Sequence, residues 1–264
     1  LVGLVTGEDL VLNNPTSVIF SSKDVADGIT VTASGYTIAD KDSFKASNYN
    51  LLDTSKTTTA NISKADLTAT LNDNSKIYDG TSYSGGNGIT FNGFVNGETA
   101  SLLGGNLVYS GTSQGAKDAG NYIISGGGLT SNNYNISFVD GKLTINKKGL
   151  TISNITANNK TYDGTTTATL SNIGTLVGLV TGEDLVLNNP TSVIFSSKDV
   201  GDNIDVTASG YTIADKDSFK ASNYNLLDTS KTTTANIVAS VNPTPTPTPT
   251  DNNQKPKVDD QVQK

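Results

Sequence analysis

Residues 1–62 recur without a gap as residues 176–237, and only three pairs differ: Ala26/Gly201, Gly28/Asn203 and Thr30/Asp205. Agreement on that scale is a duplication, so whatever fold these residues adopt must occur twice in one chain. The second copy continues upstream through Lys160-Thr161-Tyr162-Asp163-Gly164-Thr165 to Gly149. The first copy begins too late to do so. The spacing therefore predicts an N-terminal domain, residues 1–63, that lacks its opening strands. A complete domain is expected over residues 149–238.

Between the copies, residues 64–148 form a related unit with its own Lys76-Ile77-Tyr78-Asp79-Gly80-Thr81. Each Lys-x-Tyr-Asp-Gly-Thr reads as the end of a strand followed by a tight turn. Tyrosine is a strand former with a large face to bury. Asp-Gly supplies a carboxylate that bonds its own backbone and a residue free to take positive φ. The motif residues Lys76, Tyr78, Asp79, Gly80, Lys160, Tyr162, Asp163 and Gly164 are thus read as structural. In that reading the tyrosine packs at the domain end and the aspartate caps the turn. A ligand held by the tyrosine hydroxyl and the carboxylate is the competing reading. Strand-like runs precede the two motifs, Asp66 to Leu71 and Gly149 to Ile155. Closing strands are expected at Thr57 to Ile62, Lys142 to Ile145 and Thr232 to Ile237. An Asn-Tyr pair precedes each closing strand, at Asn48-Tyr49, Asn133-Tyr134 and Asn223-Tyr224.

The texture between these markers is short apolar runs broken by Gly, Asn and Asp, the pattern of an all-β sandwich. Only 34% of residues are apolar and 6% aromatic, so each core must be thin. The joints, Ile62 to Asp66 and Ile145 to Leu150, are too short for free tumbling. The expected architecture is therefore tandem Ig-like β-sandwich repeats in a rod. Residues 239–264 differ: Pro243 to Thr250 alternates Pro and Thr, and Asp251 to Lys264 is polar. That segment reads as an extended linker and a disordered tail.

The residues that are missing exclude several functions. There is no Cys, His, Met, Trp or Arg, and all 18 cations are lysines against 25 acids, for a net charge of −7. Without arginine or a basic cluster a nucleic-acid partner is not expected. Without His or Cys the commonest transition-metal ligands are absent, and no cofactor is expected. Serine and threonine are plentiful but lack the histidine that usually activates them, so the chain does not read as an enzyme. No apolar run reaches the length of a membrane-spanning helix. Asp40-Lys41-Asp42 and Asp215-Lys216-Asp217 place two carboxylates at i, i+2. Calcium needs six or more oxygens, and solvated turn carboxylates are the simpler reading. Asn-x-Ser/Thr sequons stand at Asn61, Asn135, Asn154 and Asn159, as composition alone would supply in so Asn- and Thr-rich a chain.

The stretch Lys160 to Ala168, followed by Gly182-Glu183-Asp184, Lys198-Asp199-Val200-Gly201 and Ser222-Asn223-Tyr224, resembles the YDG-type repeat domain. Residues 1–62 resemble the same domain, truncated. The middle unit resembles the glycine-rich MBG domain. It carries Tyr83 to Gly88, Gly93-Phe94-Val95-Asn96-Gly97-Glu98 and Asp118-Ala119-Gly120-Asn121-Tyr122. Both types are similar to tandem repeats of filamentous-haemagglutinin-like bacterial adhesins exported by two-partner secretion. The resemblance implies a segment of a longer secreted adhesin at the bacterial cell surface, a stalk that projects a distal binding region. Its partner is then the rest of the adhesin chain. The alternative is a module that binds host glycans or mucins multivalently through the repeats. A binder requires exposed aromatics on the same face of both duplicated units, whereas a spacer buries them.

Overall fold

The computed structural model describes residues 1–241, so most of the linker and tail reading lies outside the described residues. Those residues are all-β: strands joined by turns and by three single-turn 3-10 helices. They divide into two compact bodies. The first is Leu1–Lys148 with Ser222–Tyr224, and the second is Gly149–Ala221 with the residues from Asn225 onward.

Within the first body, residues 64–148 build a two-layer sandwich. One sheet orders the strands Asn74–Ile77, Gly141–Asn146, Gly120–Thr130 and Gly104–Ser110. The other orders Tyr134–Val139, Ala65–Leu71 and Ile89–Asn92. The opening strand alternates inward and outward as a half-buried strand must. Leu67, Ala69 and Leu71 are buried, and the residues between them are not. Ile124, Leu143 and Ile145 of the larger sheet are buried as well. The layers approach so closely at Gly126 that a Cβ there would lie 2.9 Å from a Leu71 methyl. The opening strand pairs parallel to Tyr134–Val139, with Leu67 opposite Ile136, and so joins sequence from both ends of the domain.

The second body repeats the plan. A four-stranded sheet orders Lys160–Thr161, Ser230–Val238, Gly201–Ser209 and Ser192–Phe195. A three-stranded sheet orders Thr175–Val177, Lys148–Ser153 and Tyr224–Leu226. Ile152 of the smaller sheet packs with Ala208 and Tyr211, beside Leu187 and Leu226. Phe195, Val206, Ala235, Ile237 and Ala168 form the other half of the core. The opening strands run Ala65–Leu71 and Lys148–Ser153, displaced by a residue or two from the ranges read in sequence. The closing strands each extend slightly further.

The duplicated copies have one sequence and two environments. In residues 1–62 the strands Ser17–Phe20, Ala26–Ser34 and Ser55–Ile62 pair as their counterparts do. Phe20 is nevertheless 45% exposed, whereas its twin Phe195 is 2% exposed. The cover over Phe195 comes from Ala168 and from the backbone of Thr166, which accepts the Phe195 N–H at 2.8 Å. Residues 1–62 have no counterpart of either. Where Leu150 and Ile152 fill the second copy, the first has a groove of about 570 Å³ lined by Leu1, Leu10, Leu12, Ile38 and Leu51.

The same substitution must therefore cost different amounts in the two copies. Phe195→Ala is expected to destabilise by about 3–5 kcal/mol, and Phe20→Ala by less than about 1 kcal/mol, since its ring is already half solvated. Urea titration of each variant measures this. Limited proteolysis of the parent chain should cut within residues 1–62 before residues 176–237, and equal protection of both copies would contradict the account.

Candidate functional site

The two Lys-x-Tyr-Asp-Gly-Thr motifs fold into the same hydrogen-bonded knot. The strand Asn74–Ile77 delivers Lys76 to the turn, and Asp79 Oδ1 accepts from Lys76 Nζ at 2.7 Å. The same oxygen accepts from the Thr81 N–H at 2.9 Å and the Thr81 hydroxyl at 2.7 Å. In the second copy Asp163 Oδ1 accepts from Lys160 Nζ at 2.7 Å and from the Thr165 N–H and hydroxyl at 2.9 Å each. Lys160 also donates to the carbonyls of Thr165 and Thr167, and it lies 5.6 Å from the centroid of the Phe195 ring. Gly80 and Gly164 hold φ of 75° and 78°, which a β-branched residue resists. The carboxylate is spent on its own turn. The lysine that neutralises it is mostly covered, with side-chain exposure of 21% in one copy and 16% in the other.

Saturation of one carboxylate oxygen by three donors holds both aspartates down. The lysine beside it, reinforced by the threonine, lowers Asp79 and Asp163 from 3.8 to about 2. Unfolded, each titrates near its ordinary value. The ion pair thus stabilises the fold fully at neutral pH and down to about pH 4, and that stabilisation is lost as pH falls from there through 2. The urea midpoint is expected to drop over this window. In the Asp79→Asn, Asp163→Asn double variant the drop should be shallower.

The motif tyrosines part company. Both N–H groups bond the neighbouring strand identically, Tyr78 to Asn146 O and Tyr162 to Val238 O, at 2.8 Å each. Tyr78 is buried, and its ring meets that of Tyr224 edge-on with centroids 5.4 Å apart. Tyr162 is 40% exposed. Tyr78 is packed and Tyr162 is not, because the covering ring is present at one site and absent at the other. Tyr78→Ala is accordingly expected to cost about 3–5 kcal/mol and Tyr162→Ala less than about 1 kcal/mol, read from the shift in urea midpoint.

A second arrangement, not assigned from sequence, recurs around the Asn-Tyr pairs. Tyr134 donates its hydroxyl proton to Glu98 at 2.6 Å and accepts the Val95 N–H at 3.1 Å. Tyr49 does the same with Glu8 at 2.6 Å and the Val5 N–H at 3.0 Å. The turns Val5-Thr6-Gly7-Glu8, Val95-Asn96-Gly97-Glu98 and Val180-Thr181-Gly182-Glu183 each close with the Glu N–H on the Val carbonyl. Hydrogen bonding to Tyr134, then to Lys23, lowers Glu98, and the same bond to Glu98 raises Tyr134. The signal was available as a Val-x-Gly-Glu turn spaced before every Asn-Tyr.

The asparagine of each engaged pair reaches a third element, a Lys-Asp-x turn. Asn133 Oδ1 accepts the Val25 N–H at 3.0 Å, and its amide donates to Asp24 at 2.9 Å. Lys23 of the same turn pairs with Glu98 at 2.9 Å. Asn223 repeats the contact: its Oδ1 accepts the Ala119 N–H at 2.7 Å and its amide donates to Asp118 at 3.0 Å. Asn223 is 2% exposed.

The remaining candidates hold turns together. Asp40 and Asp215 accept the N–H groups of Ala46 and Ala221 at 2.8 and 2.7 Å. Lys41 and Lys216 pair with Asp9 and Asp184. Among the described residues no three acidic side chains gather as a metal would require. Of the sequon residues, Asn61 and Asn159 use their side-chain oxygens on the N–H groups of Gly28 and Asn236.

The family model of the MBG domain (YGX type) matches residues 67–144, and that of the YDG domain matches residues 146–235. The chain carries an MBG domain and a YDG domain in tandem, and neither belongs to a known enzyme family. No curated protein matches it.

Proposed function

We propose that this tandem of MBG and YDG domains is a structural repeat segment of a large, secreted or surface-displayed bacterial adhesin, projecting a distal binding region. One observation carries the reading: the two duplicated copies share no exposed aromatic. Phe20 is exposed while Phe195 is buried, and Tyr36, Tyr49, Tyr211 and Tyr224 are at least partly covered. A glycan-binding face presented twice would keep the same ring open in both copies. The ionisable side chains support the same conclusion. Asp79, Asp163, Glu98 and Asp24 are each committed to a turn or to a neighbouring element. The negative charge and the absence of arginine suit an inert, soluble surface.

The test is retention of the full chain on mucin- or glycan-coated surfaces. We expect none above an inert protein control. Displayed between a membrane anchor and a binding domain of known specificity, the segment should increase capture of a distant target without changing which target is captured. Saturable retention of the chain alone would support the repeats as the binding element instead.

A further inference from the structure

A Lys-Asp turn followed by Val or Ala occurs three times, and among the described residues two of the three are filled. Lys23-Asp24-Val25 takes Asn133, and Lys117-Asp118-Ala119 takes Asn223. The third, Lys198-Asp199-Val200, has the same preformed shape. Ser197 Oγ accepts the Asp199 N–H at 3.0 Å, as Ser22 Oγ accepts the Asp24 N–H at 3.0 Å. Its Val200 N–H, the group that meets asparagine in the other two turns, has no partner among the described residues. Val200 is 54% exposed, and beside the turn lies the exposed Tyr162. That is the position where Tyr78 receives the edge of Tyr224. Donor and ring are in place, and so is the carboxylate, which Lys198 pairs at 3.0 Å as Lys23 pairs Asp24 at 3.5 Å in a filled turn.

The complementary element is also present and unused. Asn48 is exposed, and its side chain has no partner among the described residues. Its neighbour Tyr49 is already fixed by Glu8 and the Val5 N–H, as Tyr134 is fixed by Glu98 and Val95. The sequence around Asn48-Tyr49 is that of Asn223-Tyr224, which does occupy a turn of this kind. In one of the filled turns Lys23 pairs with Glu98, and Lys198, ion-paired with Asp199 at 3.0 Å, is the lysine at the same position of the open turn.

We propose that Tyr162, Lys198, Asp199 and Val200 form a docking site for the Asn48–Tyr49 turn of a second copy of this chain. Asn48 would bridge the Val200 N–H and the Asp199 carboxylate, Tyr49 would lie edge-on to Tyr162, and Glu8 would pair with Lys198. A contact between two unlike patches of the same chain is heterologous, so it adds copies head to tail. The inference stands whether or not the protein is an adhesin.

Sedimentation velocity of the full chain over a concentration series tests it. The sedimentation coefficient is expected to rise with concentration. Asn48→Ala and Asp199→Ala each remove one side of a charge-assisted hydrogen bond and should weaken association by at least about tenfold. Both residues are exposed, so circular dichroism and melting should be unchanged. The decisive arm is an equimolar mixture of the two variants. Asn48→Ala keeps an intact docking turn and Asp199→Ala keeps an intact Asn48, so the mixture should form a heterodimer and nothing larger. A parent chain that stays monomeric throughout, a variant that assembles as the parent does, or a mixture that remains monomeric would each overturn the proposal.

Discussion

Each sandwich depends on burying the strand that opens it. With 6% aromatic residues and a third of the chain apolar, no domain here has core to spare. Leu67, Ala69 and Leu71 are the inner face of the middle domain's smaller sheet, and Leu150 and Ile152 play that part in the last domain. The opening strand is central in both three-stranded sheets, so it satisfies neighbours on two edges as well as the opposing layer. Residues 1–62 show the larger sheet without such a strand over it. The remaining strands still pair, because their hydrogen bonds are local to the larger sheet. What is lost is cover: Phe20 and Leu12 are exposed, and a groove lies where the second layer would sit.

The ends of the domains use polar chemistry for a reason that follows from the same scarcity. A chain with little apolar surface cannot hold such turns by burying a large hydrophobic face. The asparagine contact needs little area. It pairs a backbone N–H and a carboxylate with one amide, and in the case of Asn223 it does so where solvent is excluded. In that setting an unmade bond would cost more than a made one gains, which favours the single matching geometry. The tyrosine behind the asparagine is held in turn by Glu98, and Glu98 reaches Lys23. One short network therefore links the Val-x-Gly-Glu turn, the Asn-Tyr pair and the Lys-Asp-x turn.

Much of this was legible in the sequence, and the limits have physical causes. Alternation and turn chemistry place the strands, and Asp-Gly places the knots at Asp79 and Asp163, because those features act within a few residues. The exposure of Tyr162 was not legible. Its motif is the same as that of Tyr78 through the turn, and the difference lies in a ring that comes from Tyr224, far away in sequence. The asparagine contacts were missed for the same reason. Lys198-Asp199-Val200 and Asn223-Tyr224 stand out as repeated words, but a word shows what recurs and not what it touches. Only the pairing of Asn133 with Val25, 108 residues apart, gives both words a role.

The three differences between the duplicated copies follow the same logic. All lie in the bulged start of one strand, where pairing shifts between Ala26 and Ile29 and between Gly201 and Ile204. Gly28 and Asn203 both take left-handed backbone, with φ of 66° and 51°, a conformation asparagine tolerates better than other side-chain-bearing residues. Each donates its N–H to the equivalent asparagine, Asn61 or Asn236. Thr30 and Asp205 each offer their carbonyl to the matching serine, Ser21 or Ser196. The backbone and one asparagine side chain hold this segment in both copies, and the side chains that differ point to solvent or are absent. Substitution is free there because the side chain does not carry the structure, whereas the neighbouring Lys-Asp-Val turn is identical in both copies.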